Sequence, residues 1–430
     1  MATKCLYWDR PYETAFDGRL VRFVGKDGRA GVVVDQTLFY PEGGGQPCDK
    51  GHISLLDSGL SVLLGTGDLT VSGVSLEAGE VVHWIDLDGC SAVAGALPSA
   101  PVGGWPVQGR VDWSRRFDFM QQHTGQHILT RAFEDEVGAR TVGFHLTEEY
   151  VSIDLDVVSV TAEEIAKAED RANKVVFSNI PVIVKEYSRG QLPPEVRARF
   201  EIDADTIRVI CVGDFDACPC GGTHLAASGQ VGLIKVNQTD RAHGGVRVVF
   251  RCGGRALADY REKQEILDQT ARVLSQPVHA VPAAAKAMNE KLLELQVEHD
   301  RVQETLLELE IEALTRPDVL AGQECVVVEL AGKSPDRLKY AGKKIAEASG
   351  KVTVCFAGQP RFSAIVVSLA PGGPDARAVV SEIAAAWGGR GGGTPQIAQL
   401  GSKEPLSAAP ETVAEDLKRI CGRIFNKTES

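Results

Sequence analysis

Two segments far apart in the chain carry the residue types that hold a transition metal. The first places His123 and His127 four residues apart; the second, Cys218-Pro-Cys220-Gly-Gly-Thr-His224, offers a thiolate and a third imidazole. The apolar positions Ile128, Leu129, Ala132 and Phe133 suit an amphipathic helix around the first pair. On a helix, residues four apart share a face, so both imidazoles can reach one ion. With Cys220 and His224 they form a nitrogen and sulfur set that Zn²⁺ accepts tetrahedrally, and Cys218 is a spare. An HxxxH pair alone is equally a polar helix face. The Cys-x3-His partner turns the balance toward a metal, because two tight pairs of ligand-type residues are hard to explain as core side chains.

Other stretches must position these residues. Gly43, Gly44 and Gly45 precede Gln46-Pro-Cys-Asp49; three glycines allow positive φ and free N–H groups to face a ligand, although the triplet alone also reads as a hairpin loop. Gln46 both donates and accepts hydrogen bonds. A strand at 150–156 follows Gly143-Phe-His145, and Thr161-Ala-Glu-Glu164 is a capping box opening a helix to about Asn179. Strands at 181–186 and 206–211 follow, the second leading into the Cys220 loop. Arg115 and Arg116 sit just before the first pair, where they could meet phosphates or simply solvent.

These motifs resemble those of the alanyl-tRNA editing proteins of the AlaX type, related to the editing half of alanyl-tRNA synthetase. The resemblance rests on the HxxxH and CxGTH segments, Tyr40-Pro-Glu-Gly43-Gly-Gly-Gln46, Gly143-Phe-His145 and Gly245-Val-Arg247. It runs from residue 1 to about 260 and continues more weakly to the C-terminus, as in the long AlaX form. It implies a Zn²⁺ site at His123, His127, Cys220 and His224, and a Gly-rich loop (Gly43, Gly44, Gly45, Gln46) that lies over the metal and reads the aminoacyl group. It also implies hydrolysis, without ATP, of the ester of mischarged tRNA(Ala), chiefly seryl and then glycyl. Val248 stands where the family has a second arginine after Arg247, which weakens a paired-arginine backbone contact.

Four protein ligands usually mark a structural zinc, whereas a catalytic zinc keeps a position open; one ligand, Cys220 for example, would then bind loosely. An aminoacyl ester is already activated, so positioning and electrostatics suffice and no strong base stands out. Gln46, Thr124 and His145 are the catalytic or orienting candidates, with Glu148 beside them; Arg247 and Arg390 are the candidates for RNA contact.

The chain has 430 residues, 43% hydrophobic and 24% charged, enough for two or three globular domains. A net charge of −12 excludes a generally basic nucleic-acid coat, so RNA contacts must be local. Ten irregularly spaced cysteines and an N-terminus without an apolar signal segment favour a reducing, cytoplasmic setting without disulfides. No stretch reaches the roughly 20 apolar residues needed to span a bilayer.

The expected class is α+β in four parts: an N-terminal β-barrel (1–110), an α/β editing core with the zinc site (111–252), a helical coiled-coil arm (253–317) and a C-terminal α/β DHH-associated domain (318–430). Residues 91–109, rich in Gly, Pro and Ala, read as a linker or irregular crossover. Met288, Leu292, Leu295, Val302, Leu306, Leu309 and Ala313, with His299 at the remaining position, give a heptad seam that pairs either within an arm or across a homodimer. The Gly-rich run around Arg390 resembles the DHH-associated signature, with a loop between helices as the alternative. Residues 318–430 hold 14 Lys and Arg against 12 Asp and Glu, near +2, so this part is the better tRNA-binding candidate. Two rival functions remain: a noncatalytic zinc-containing tRNA-binding protein, and a metallohydrolase of small esters.

Overall fold

The computed structural model describes residues 2–26, 28–86, 100–200, 204–242, 244–320 and 324–428. The chain is mixed α+β and divides into two compact units, Met1–Thr270 and Ala271–Ser430.

The first unit opens with β1 (Lys4–Cys5), β2 (Ala15–Lys26), β3 (Arg29–Val34) and β4 (Gln36–Thr37), the last pairing in parallel with β1. β5 (Gly51–Leu55), the short helix α1 (Ser58–Leu64), β6 (Asp68–Glu77), β7 (Glu80–Ile85) and β8 (Trp105–Val111) follow. β2, β3, β7, β6, β5 and β8 pair in that order, and β8 returns to β2, closing a barrel. Closure leaves no exposed sheet edge. Its interior is aliphatic and aromatic, with Leu20, Val32, Phe39, Ile53 and Val107 buried. β8 corrects the linker reading of 91–109 over its second half: Val107 and Val111 alternate into the core, and the ring of Phe16 fills the space a side chain at Gly109 would need. Residues 91–99 lie outside the described residues.

α2 (Trp113–Val137) then leaves the barrel. Asp112 caps it by accepting from the Ser114 and Arg115 N–H groups, and Gly138, in the left-handed region, ends it. Arg116 on its first turn is fully buried and corrects the expectation of a phosphate contact. Its Nε donates to both carboxylate oxygens of Asp49 (2.9 and 3.0 Å), its Nη1 to the Pro11 carbonyl and its Nη2 to the Leu38 carbonyl. Asp49 in turn accepts from the Tyr40 N–H at 2.6 Å, so the helix is tied to both ends of the Gly-rich loop. Arg115 is likewise engaged, with the Cys48 carbonyl and Glu148.

β9 (Thr141–Leu146) and β10 (Val151–Leu155) precede α3 (Ala162–Phe177), whose capping box between Thr161 and Glu164 is complete. β11 (Val182–Ser188), α4 (Pro194–Arg199), β12 (Thr206–Val212), β13 (Asp216–Pro219), β14 (Ile234–Ala242) and β15 (Gly245–Cys252) complete the elements around the site. They form two antiparallel sheets, in the orders β14-β15-β10-β9 and β11-β12-β13. Phe119, Ile128, Leu129 and Phe133 of α2 pack with Ile153 of β10 and Phe250 of β15 in a single core.

α5 (Gly253–Leu274) leads to α6 (Val281–Leu314) in the second unit. The heptad residues Met288, Leu292, Leu295, Val302, Leu306 and Leu309 are exposed; α6 instead buries Leu307 and Ile311 against Val326, Leu338 and Ile345. The C-terminal sheet has five strands, and Arg390–Gly393 pairs antiparallel with Ile397–Gly401 at its edge. The Gly-rich run is therefore a hairpin strand, and Arg390 on it is exposed. Among the described residues no helix is long and apolar enough to cross a membrane.

Candidate functional site

The middle of α2 and the loop after β13 meet inside the first unit. The ligand-type atoms of His123, His127, Cys220 and His224 all lie within 4.8 Å of one another. Cys220 Sγ is 3.3 Å from Nε2 of both His123 and His224. The three imidazoles are almost fully buried. Nε2 of His127 is buried with no hydrogen-bond partner, an arrangement that costs free energy unless something else binds there.

Backbone sterics explain why the loop approaches so closely. A Cβ at Gly222 would overlap the ring of His123, so only glycine lets the loop lie against α2. Arg208 on β12 fastens the loop from behind, with Nη1 donating to the carbonyls of Cys220 (2.7 Å) and Gly222 (2.9 Å).

The expected orienting residues fall into two groups. Gln46 is 1% exposed. Its Oε1 accepts from Nδ1 of His123 (2.8 Å) and from the Thr223 N–H (3.1 Å), while its Nε2 donates to Thr223 Oγ1 (2.8 Å). Thr124, also buried, has its hydroxyl 3.3 Å from Nδ1 of His224 and accepts from the Leu225 N–H. Both therefore hold the imidazoles from the side opposite the cluster. His145 is not brought into it. It sits half-exposed on β9 with Nε2 near Asp154 (3.3 Å) and Arg247 (3.2 Å), and Arg247 forms a two-pronged pair with Asp154 (2.7 and 2.8 Å). Glu148 is engaged by Lys50 and Arg115. Gly43 and Gln46 form an isolated bridge across the Gly-rich turn, and a Cβ at Gly45 would press on Phe144.

Three contributors escaped the sequence reading. The ring of Phe144 stacks on His123 with centroids 5.2 Å apart; its place beside His145 was the only hint. Thr223 sits inside the Cys220 motif without a role having been assigned to it. Asp216 at the start of β13 has Oδ2 3.8 Å from Nδ1 of His127, with its charge compensated by Arg199 at 2.8 Å. Asp216, His127 and Cys218 also gather closely, which puts the spare cysteine beside His127.

Electrostatics follow from this packing. Burial disfavours a thiolate at Cys220, yet the rings of His123 and His224 overcome it and hold its pKa well below the ordinary thiol value. Burial likewise disfavours charge on His127, but the Cys218 sulfur, Asp216 and Cys220 outweigh it and raise its pKa well above the usual imidazole value. His224, desolvated, is pushed down to about 3.

Two sequence profiles match the chain. The "Threonyl and Alanyl tRNA synthetase second additional domain" covers residues 207–249, and the DHHA1 domain covers residues 322–424. The "Alanyl-tRNA editing protein AlaX-L" of Pyrococcus horikoshii is 28% identical over 424 residues, 95% of this chain and 96% of its own. Alanine–tRNA ligases of Pyrococcus abyssi (28% identity) and Natronomonas pharaonis (31%) align with 97% of this chain, but the chain spans only 44% of their length. Among solved structures, the C-Ala domain from Aquifex aeolicus alanyl-tRNA synthetase covers 23% of this chain and 89% of its own at 19% identity, with a TM-score of 0.21. By sequence, the chain is similar from end to end to an alanyl-tRNA editing protein of the long AlaX type, and in part to the second additional and DHHA1 domains of alanyl-tRNA synthetases.

Proposed function

We propose that this chain is a trans-editing deacylase that hydrolyses the ester of mischarged tRNA(Ala), with the seryl ester as chief substrate and the glycyl ester second. The observation that carries this reading is the end-to-end match to a protein named for alanyl-tRNA editing, in a chain whose four ligand-type residues converge.

The cluster suits Zn²⁺. One thiolate and three imidazoles are ligands it accepts, and the partnerless Nε2 of His127 is a buried lone-pair site once its proton leaves. Zinc bound there would polarise the ester carbonyl or hold the substrate's amino group. The remaining work falls to the chain. Gln46, accepting from Nδ1 of His123, directs the Nε2 lone pair of that ring toward Cys220. Thr124, with its hydroxyl 3.3 Å from Nδ1 of His224, holds that ring in place. Phe144 covers the outer face of His123 and keeps water from it. Gly43 closes the turn against Gln46, and Gly44 and Gly45, the latter against Phe144, present backbone groups to read the amino acid. Cys220, less buried than the three imidazoles, is the ligand best placed to yield a position to substrate or water. Arg247 and His145, on an exposed sheet face, and Arg390, on the C-terminal hairpin, are the residues for RNA contact.

Deacylation of seryl-, glycyl- and alanyl-tRNA(Ala) by native protein, metal-stripped protein and the His123→Ala and Cys220→Ala variants tests this. Selective, metal-dependent loss of the seryl ester is expected. Survival of all three esters with tRNA still bound would leave a zinc-containing RNA-binding protein, and cleavage of small esters without tRNA would leave a metallohydrolase.

A further inference from the structure

A cavity of about 500 Å³ opens beside the cluster, within the roughly 300–1,000 Å³ range of small-ligand sites. Trp8, Asp9, Tyr12, Glu186, Arg208 and His224 line it, over a floor that includes Val182 and Val184. His224 is the one cluster residue that reaches it. We propose that this cavity receives the base and ribose of the terminal nucleoside of the RNA, stacked against Trp8. The inference rests on the deacylase reading and adds where the nucleic-acid end of the ester sits.

Connectivity is the first argument. In an aminoacyl ester the acyl carbon is one oxygen away from the terminal ribose, so an ester held at the cluster must put that ribose in a space adjoining it. The cavity shares a wall with the cluster through His224, and Arg208 belongs to both, fastening the Cys220 loop while facing the cavity.

Surface chemistry is the second. Trp8 is 43% exposed although large and apolar, and its indole N–H is already committed to the Gly221 carbonyl at 2.9 Å. The ring is thus anchored at its edge with nearly half its surface open. Tyr12 is similar: its hydroxyl accepts from the Ala226 N–H and donates to Gln230, and the ring remains 37% exposed. Two aromatic rings fixed by their polar ends are platforms for a planar base.

Charge selects which part of the nucleotide enters. One arginine, Arg208, faces two carboxylates, Asp9 and Glu186. A string of phosphates would be repelled by that pair of acids. Ribose hydroxyls and an exocyclic amine, by contrast, are donors that carboxylates accept. The cavity therefore fits a neutral nucleoside, and the phosphates belong outside.

The test uses the full chain. Saturation-transfer NMR with adenosine, and with adenosine 5′-diphosphate for comparison, reads the cavity without any turnover. Adenosine contact that is lost in Trp8→Ala, and not strengthened by the added phosphates, is expected. In deacylation, Trp8→Ala should raise KM for aminoacyl-tRNA by roughly 5- to 150-fold, the value of one stacked base, with metal content unchanged and Trp8→Phe restoring most of the loss. Because Trp8 also holds the Gly221 carbonyl, Val184→Trp serves as a second probe: it fills the cavity without touching the loop and should raise KM similarly. Deacylation with unaltered KM in both variants, and no adenosine contact, would overturn the cavity assignment and leave the deacylase reading standing. Absence of deacylation by the native protein, with Trp8-dependent adenosine contact retained, would overturn the deacylase reading and leave a nucleoside site.

Discussion

Gln46 Oε1 lies 2.8 Å from Nδ1 of His123, across the junction between the Gly-rich loop and α2. A carboxamide oxygen can only accept, so this contact fixes the proton on Nδ1 and leaves Nε2 as the lone pair that faces Cys220. Gln46→Leu keeps the apolar volume and removes the acceptor. Metal affinity, measured by competition with a chromophoric chelator, should fall roughly 10- to 100-fold while the far-UV circular dichroism stays unchanged. Unchanged affinity would mean that the loop does not orient the ring.

Asp216 plays the equivalent part for His127. Its buried carboxylate, 3.8 Å from Nδ1, helps hold the imidazole in its charged form before metal arrives. Binding at Nε2 must then displace a proton. Calorimetric titration with zinc in two buffers of different ionisation enthalpy should show about one proton released from this ring near pH 7. In Asp216→Asn the ring loses a partner that raises its pKa, so fewer protons should be released. Equal release in both proteins would remove Asp216 from this role.

The Arg116–Asp49 pair joins barrel and helix where no solvent reaches either group. Such a pair contributes little relative to an apolar substitute, but removing one member strands the other's charge. Asp49→Ala should therefore lower unfolding stability by roughly 3–5 kcal/mol in urea titration, more than a surface substitution such as Glu163→Ala. A loss below about 1 kcal/mol, typical of exposed pairs, would show that water reaches Arg116.

What could be read from the sequence was whatever local spacing encodes. The HxxxH pair, the Thr161–Glu164 capping box and the strand leading to Cys220 each declare themselves within a few residues. β8 did not, because Gly103, Gly104 and Pro106 give it the composition of a loop, and only pairing with both β2 and β5 makes it a strand. Arg116 looked like a surface cation because its partner is 67 residues earlier. Gln46 was expected to face the substrate because sequence shows its donors and acceptors and not His123 and Thr223, which occupy them. The α6 seam was visible as periodicity, but periodicity does not say which face a neighbouring sheet will cover; that proved to be the face of Leu307 and Ile311.

His83 makes the barrel sensitive to acid. The ring is fully buried, between Thr37 Oγ1 at Nε2 (2.8 Å) and the Val32 carbonyl at Nδ1 (3.1 Å), and desolvation pushes its pKa down from 6.5 to about 4. The folded chain therefore keeps this imidazole neutral while the unfolded chain protonates it. Above pH 6.5 neither state is charged and the full stability is present. As pH falls from 6.5 to 4 the unfolded state alone takes up the proton, so stability drops, reaching a loss of about 3 kcal/mol where the folded ring also titrates. Urea unfolding of the native protein and of His83→Gln at pH 7.5 and pH 4 isolates this residue, since every other titrating group is common to both. The variant, although less stable at pH 7.5 through altered packing, should lose about 3 kcal/mol less between the two pH values. Equal losses would mean that the ring takes up its proton inside the folded barrel at its ordinary pKa.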